Sequence, residues 1–372
     1  MKLQFRNARV LLPDGSWAQN CPVTVENGLI LAVGEEIAAD KTLDLSGLSL
    51  LPGLVDMHTH GRAGFDFTSA TAEEMRRMKA DYAKHGVTSL FPTLASATRE
   101  EWKTAIERIQ AVGFDGVHLE GRYLNPARRG AHAPELLTPL DPGDLADFLH
   151  LAESFSLPVH LTAAFELDKT GAFAALAKKS GATLALGHTD ATFEEATAAM
   201  KNGVTCFTHL FNAMPPLHHR AGGAVCAALT SDCFAELIVD GLHVSPEMVK
   251  LVWQIKGPEK LILITDSMSA TGCADGNYAI AGQPVTVRNG RAETPDGKLA
   301  GSTLNLWNAV KNLMAFAGAP LAEALLCATR NPATALGISE RVGIIAPGRR
   351  ADLLAVTQDL SIQSVFAAGE KI

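Results

Sequence analysis

Six side chains of metal-ligand type recur at the ends of apolar runs in this chain. The first run ends Asp56-Met57-His58-Thr59-His60. Side chains alternate along a strand, so His58 and His60 share one face and can reach one ion. Further along, Glu120 closes His118-Leu119-Glu120-Gly121, His188 follows Gly187 and precedes Thr189-Asp190, His209 follows Thr208, and Asp266 follows Thr265. A single His or Glu in an apolar segment is more often a satisfied rim or core residue. Five polar strand ends in succession, all offering nitrogen or oxygen, point instead to a divalent metal site. The set holds no thiolate, which suits zinc, iron, manganese or cobalt and not an iron–sulfur cluster. His85, His118, His150 and His160 read as structural. Asp266, on the last run, is the expected acid/base. A carboxylate beside a metal ion can take a proton from water ahead of attack on a carbonyl carbon, then give it to a leaving amine. Hydrolysis of an amide or related C–N bond is the expected reaction.

Such ligands need strands to hold them. Candidate strands fall at residues 54–59, 87–92, 116–120, 159–163, 183–187, 205–208, 236–239 and 261–265. Helical stretches at 72–84, 102–112, 171–179, 194–201 and 246–255 stand between many of them. This rhythm predicts an α/β fold, a (β/α)8 TIM-like barrel whose chemistry sits at the C-terminal strand ends. Beyond the last strand, residues 278–291 predict an inserted hairpin turning at Asn289-Gly290, and helices at 304–316 and 321–336 close the barrel. Both chain ends read differently. Residues 3–12, 23–26 and 29–33 are short strands punctuated by Pro13-Asp14-Gly15 and Asn27-Gly28, and 343–346, 352–356 and 362–367 continue that style. The expectation is a small β-sandwich domain of residues 1–52 plus 340–372, with residues 53–339 forming the barrel between them.

With 372 residues, 47% hydrophobic and 19% charged, the chain has enough apolar material for a large buried core. A net charge of −8 argues against nucleic acid or an anionic membrane as partner, because both need clustered Lys and Arg. An anionic small substrate stays open, since one local Arg suffices for it. Cys21, Cys206, Cys226, Cys233, Cys273 and Cys327 form no C-x-x-C pair and read as reduced, mostly buried residues of a cytoplasmic protein. The first residues alternate like a strand and lack a signal-peptide core, and no window reaches the roughly 18 apolar residues of a membrane span.

Pro52-Gly53-Leu54-Val55-Asp56-Met57-His58-Thr59-His60-Gly61 resembles the strand-one signature of the amidohydrolase superfamily. Narrower motifs are similar to those of the N-acetylglucosamine-6-phosphate deacetylase family. They are His118-Leu119-Glu120-Gly121, Gly130-Ala131-His132, Gly187-His188-Thr189, Thr208-His209-Leu210-Phe211-Asn212-Ala213-Met214, Asp240-Gly241-Leu242-His243, Thr265-Asp266 and Leu299-Ala300-Gly301-Ser302, in the family's order. Pro347-Gly348-Arg349-Arg350-Ala351-Asp352 agrees in the flanking β region. The resemblance implies removal of acetate from the 2-acetamido group of a phosphorylated amino sugar, N-acetylglucosamine 6-phosphate. It implies one or two divalent ions per subunit, zinc foremost, with iron, manganese or cobalt as alternatives. Glu120, His188 and His209 would bind the principal ion, His58 and His60 a second, with Asp266 beside them as the acid/base. His243 would hold the sugar and polarise the acetamide carbonyl. Asn212, the Ala213 backbone and Arg220 would meet the phosphate; His219, Leu299 and Ala300 would also touch substrate, and His132 would lie on a lid. In this family the neighbouring subunit can supply Arg220, which implies a homodimer.

Strand four, Pro158-Val159-His160-Leu161-Thr162-Ala163-Ala164, holds no Lys of the carboxylated kind that bridges two ions in many amidohydrolases. Glu120 offers a carboxylate in its place, which weighs against dihydroorotase-like and hydantoinase-like activity. Two departures from the family pattern stand out. Arg122-Tyr123 replaces Pro-Phe, and Ala221-Gly222-Gly223 replaces Glu-Pro-Gly after Arg220. They leave N-acetylgalactosamine 6-phosphate or an unphosphorylated substrate open. Two further readings compete: a metal hydrolase of another N-acyl compound, such as an N-acyl amino acid, and a non-catalytic barrel scaffold, against which the presence of every strand-end ligand weighs.

Overall fold

The computed structural model describes residues 1–372. Strands β1 (Leu54–Thr59), β2 (Val87–Leu94), β3 (Val117–Glu120), β4 (Val159–Ala163), β5 (Thr183–Leu186), β6 (Val204–Phe207), β7 (Phe234–Ile238) and β8 (Leu261–Ile264) lie side by side in chain order. Every pairing between them is parallel. Runs such as Leu261-Ile262-Leu263-Ile264 are apolar and buried at every position, as parallel strands packed between a helix layer and a filled interior require. Helices α1 (Ala72–Lys84), α2 (Arg99–Val112), α3 (Pro142–Ser154), α4 (Ala172–Lys179), α5 (Phe193–Lys201), α6 (Gly223–Thr230), α7 (Pro246–Lys260) and α8 (Leu306–Ala317) each follow one strand. In α1, α2 and α5 a Thr hydroxyl accepts the N–H of a Glu three residues on, and that Glu accepts the Thr N–H in return. The pairs are Thr71 with Glu74, Thr98 with Glu101 and Thr192 with Glu195. Helices α3 and α6 were not anticipated. No helix is long and apolar enough to cross a membrane.

The (β/α)8 barrel closes backbone to backbone only at its mouth. There the Asp266 N–H donates to the His58 carbonyl at 2.9 Å, and the His60 N–H to the Ser267 carbonyl at 2.8 Å. Nearer the base, Val55 N–H donates to the Ala328 carbonyl at 2.9 Å and Leu263 N–H to the Cys327 carbonyl at 2.8 Å. This wedge corrects the expected helix at 321–336. The segment is two short helices, Leu321–Leu326 and Arg330–Ala335, because the residues between them serve as barrel wall.

The two termini build two sheets with their own apolar core, including Phe5, Ile30, Leu50 and Phe366. One sheet runs Leu29–Val33, Val23–Glu26, Lys2–Arg6, Lys41–Asp44; the other runs Glu370–Lys371, Ile362–Ala367, Leu353–Val356, Ser49–Pro52, Arg9–Leu11, Trp17–Ala18. The expected strand at 3–12 is therefore two strands. Asn7, at φ 62°, lets the chain cross from one sheet to the other. Residues 343–346 form no strand. The inserted hairpin has a third strand: Gly276–Ile280, Gln283–Arg288 and Arg291–Glu293, with Asn289-Gly290 turning between the last two. Its apolar core packs against Ala131, which brings it over the barrel mouth. All six cysteines are free, and Cys273 alone is exposed.

Candidate metal centre

Each expected ligand stands at the C-terminal end of its strand or just beyond it. His58 is the penultimate residue of β1 and Glu120 the last of β3. His188, His209 and Asp266 each lie two residues past β5, β6 and β8, and take φ values of 47°, 30° and 47°. Non-glycine residues rarely adopt this left-handed conformation, which costs on the order of 1–3 kcal/mol, and such outliers cluster at functional sites. Gly187 before His188 is required by contact: a Cβ there would come within 2.6 Å of Thr208 Cβ.

Glu120 divides its two oxygens between two groups. Its Oε1 is 2.9 Å from His209 Nε2 and 3.2 Å from His188 Nε2, and those two nitrogens are 3.1 Å apart. Its Oε2 is 2.9 Å from His60 Nε2 and 3.0 Å from His58 Nε2. Asp266 Oδ1 completes the second group at 3.3 Å from His60 and 3.5 Å from His58. Ligands about 2.0–2.2 Å from a tetrahedral ion lie roughly 3.3 Å apart, so both groups fit a divalent cation. His188 Nδ1 donates to the Arg128 carbonyl at 2.9 Å, which leaves its Nε2 lone pair facing His209 Nε2 and available to a cation.

The electrostatics agree with this donor set. Burial would raise Glu120, but His58, His188 and His209 hold it well below the usual carboxylate range. Asp266 is likewise held low, burial being outweighed by His60 and His58. Burial opposes protonation of His60, yet Asp266 and Glu120 raise it to about 9. The carboxylates are thus held ionised, and the protons they favour on His58, His60 and His209 are what a divalent ion would replace. Beneath them, His118 is held at both nitrogens, by Thr93 at 3.0 Å and Thr162 at 2.8 Å, and His160 by Thr183 at 2.8 Å.

A cavity of about 520 Å³ opens over these ligands. His60, Glu120, His188, His209 and Asp266 line it, together with the expected substrate residues His132, Asn212, Ala213, His243, Leu299 and Ala300. His58 lies fully buried behind them. His219 and Arg220 are not brought into it within one chain; they are exposed, with Arg220 Nη1 2.8 Å from His219 Nε2. His243 Nδ1 donates to Asp240 at 2.7 Å, leaving Nε2 for a ligand. His132 Nδ1 accepts the Ser96 N–H at 3.3 Å, so its remaining proton sits on Nε2. Sequence reasoning missed Arg128 and Arg129, which also line the cavity; the Arg pair directly before Gly130-Ala131-His132 was the available signal. It also missed Asp240 as the partner of His243. Arg122 lies outside the cavity wall: it donates to the Ala97 carbonyl at 3.0 Å and to Asp144 at 2.8 Å. Gly222-Gly223 begins α6, and a Cβ on Gly222 would come within 2.5 Å of Cys226 Cβ.

A parallel barrel carrying histidines and carboxylates at its strand ends defines a metal-dependent hydrolase scaffold. The chain belongs to the amidohydrolase family, which matches residues 49–372. Within it the chain groups with the N-acetylglucosamine-6-phosphate deacetylases. It is 35% identical to the one from Vibrio furnissii, over 99% of this chain and 94% of that one. It is also 33% identical to an N-acetylgalactosamine-6-phosphate deacetylase from Escherichia coli O157:H7, over 98% and 97% of the two chains. Among solved structures, N-acetylglucosamine-6-phosphate deacetylase from Pasteurella multocida superposes with a TM-score of 0.94 at 29% identity, covering 100% of both chains. An aspartate-to-alanine mutant of the Mycobacterium smegmatis deacetylase in complex with N-acetyl-D-glucosamine-6-phosphate gives 0.91 at 34% identity, covering 100% of this chain and 98% of that one.

Proposed function

We propose that this enzyme hydrolyses the acetamide of N-acetylglucosamine 6-phosphate to glucosamine 6-phosphate and acetate. The observation that carries the reading is Glu120, whose two oxygens face two separate histidine pairs with Asp266 beside one of them. Glu120, His188 and His209 hold one divalent ion, and His58 and His60 a second, zinc being the first candidate. When bound, these ions supply Lewis acidity toward water and toward the acetamide carbonyl. Asp266, held as the carboxylate, takes a proton from the attacking water and delivers it to the leaving amine. His243, fixed by Asp240, presents Nε2 to the sugar and the carbonyl oxygen, and His132 presents its Nε2–H from the lid. Asn212 and the Ala213 N–H receive the phosphate, and Leu299, Ala300 and His219 complete the substrate contacts.

Arg220 meets the phosphate from a neighbouring subunit in a homodimer; its exposed position outside its own cavity supports that reading. Residues 1–52 plus 340–372 form the sandwich domain and 53–339 the barrel, supported by an apolar core drawn from those terminal segments alone. The enzyme acts in the cytoplasm. The Escherichia coli O157:H7 relative favours N-acetylgalactosamine 6-phosphate as the second reading.

The test is amine release from N-acetylglucosamine 6-phosphate, N-acetylgalactosamine 6-phosphate and unphosphorylated N-acetylglucosamine, by the metal-loaded wild type and Arg220→Ala. Turnover should be fastest on the first sugar, and the variant should lose most of its preference for phosphate. Faster turnover of the galacto epimer transfers the assignment to it, and no turnover of any of the three overturns the reading.

A further inference from the structure

Glu236 is a fully buried carboxylate in the middle of β7, below the strand ends where the ligands stand. Its Oε2 accepts from His58 Nδ1 at 3.0 Å and from the His209 backbone N–H at 3.2 Å. Its Oε1 makes only longer approaches, 3.5 Å to His160 Nε2 and 3.9 Å to Cys206 Sγ. Both short bonds therefore go to residues that bear metal ligands. A carboxylate only accepts, so the bond to His58 puts the hydrogen on Nδ1. Nε2 is then the nitrogen left for an ion, facing Glu120 Oε2, 3.0 Å away, and Asp266 Oδ1, 3.5 Å away. His60, the other ligand of that half-site, has no partner at Nδ1.

We propose that Glu236 is a positioning residue for the second ion: it fixes the tautomer and ring of His58, while its bond to the His209 main chain ties the two half-sites together. Carboxylate support behind a histidine ligand commonly changes ion affinity about 10–100-fold when removed. The proposal rests on the two-ion reading of the function above.

The experiment strips the purified enzyme with chelator and titrates it with cobalt(II). Visible absorption, the count of bound ions after desalting, and the melting temperature are followed for wild type, Glu236→Gln, Glu236→Leu and His160→Asn. Wild type should take two ions. Glu236→Gln, which keeps an acceptor oxygen, should weaken the second ion about 10-fold and Glu236→Leu about 100-fold, with the first ion retained in both. His160→Asn should bind both ions as wild type does. If Glu236→Leu does not fold, Glu236→Gln decides alone. Two ions bound with wild-type strength in the Glu236 variants overturn the positioning role, as does parallel weakening of both ions with a lowered melting temperature. A wild type that takes only one ion overturns the two-ion reading itself, and so is told apart from failure of Glu236.

Discussion

At the base of the barrel, Arg350 lies between Asp115 and Asp352, at 2.6 and 2.7 Å, and also donates to Ser89 Oγ at 2.7 Å. This cluster ties the C-terminal strands of the sandwich to the barrel. At the mouth, Glu120 and Asp266 face four histidines, two of whose Nε2 atoms lie 3.1 Å apart, and Nδ1 of His60 and of His209 has no partner. Both rims bury charge, but every nitrogen of Arg350 at the base finds a partner, whereas the mouth leaves two histidine nitrogens without one and sets two others face to face. A buried polar cluster with open positions is costly unless something else completes it. The base therefore reads as structure and the mouth as a site.

Substitutions can break this contrast. The largest effect belongs to the mouth: Asp266→Asn should lower kcat about 10²–10⁴-fold with KM little changed and the circular dichroism spectrum intact. Steady-state kinetics check this, and a kcat within threefold of wild type removes Asp266 from the acid/base role. Glu120→Gln should lose comparable activity and both ions, read by elemental analysis of the desalted protein. At the base, Arg350→Ala removes the cation between Asp115 and Asp352 and leaves Asp115 only the 3.6 Å approach of the exposed Arg341. It should lower stability by about 2–3 kcal/mol in denaturant titration, discounted for partial exposure, with kcat/KM per folded molecule unchanged. An activity loss beyond the unfolded fraction would merge the two rims.

The smallest effect sharpens the contrast beside Glu120 itself. Burial pushes Asp144 up, but its bonds to Arg122 and Tyr123 hold it below the ordinary 3.8. A depressed carboxylate stabilises the fold above its unfolded pKa and loses that contribution as pH falls through its folded value. The melting-temperature gap between wild type and Asp144→Asn should therefore be constant above about pH 5 and narrow below about pH 4. A gap that widens on acidification contradicts the pairing.

Much of this was legible in the sequence because strand alternation and strand ends are local. Asp56-Met57-His58-Thr59-His60 and the Thr-x-x-Glu caps of α1, α2 and α5 announce themselves within a few residues. Glu236 was not legible, since its partners His58 and His209 are 178 and 27 residues away. The break at Cys327 was hidden for a related reason: local helical pattern cannot register that a neighbouring strand needs those carbonyls. Arg122 was ambiguous in sequence and is settled by Asp144, which lies 22 residues on.

The most direct test of the central claim is acetate release from N-acetylglucosamine 6-phosphate before chelation, after complete chelation, and after zinc is restored to the same sample. The expected result is turnover that disappears with the ions and returns with them while the fold persists. Turnover that continues at its original rate in protein shown by elemental analysis to hold no metal would contradict the account.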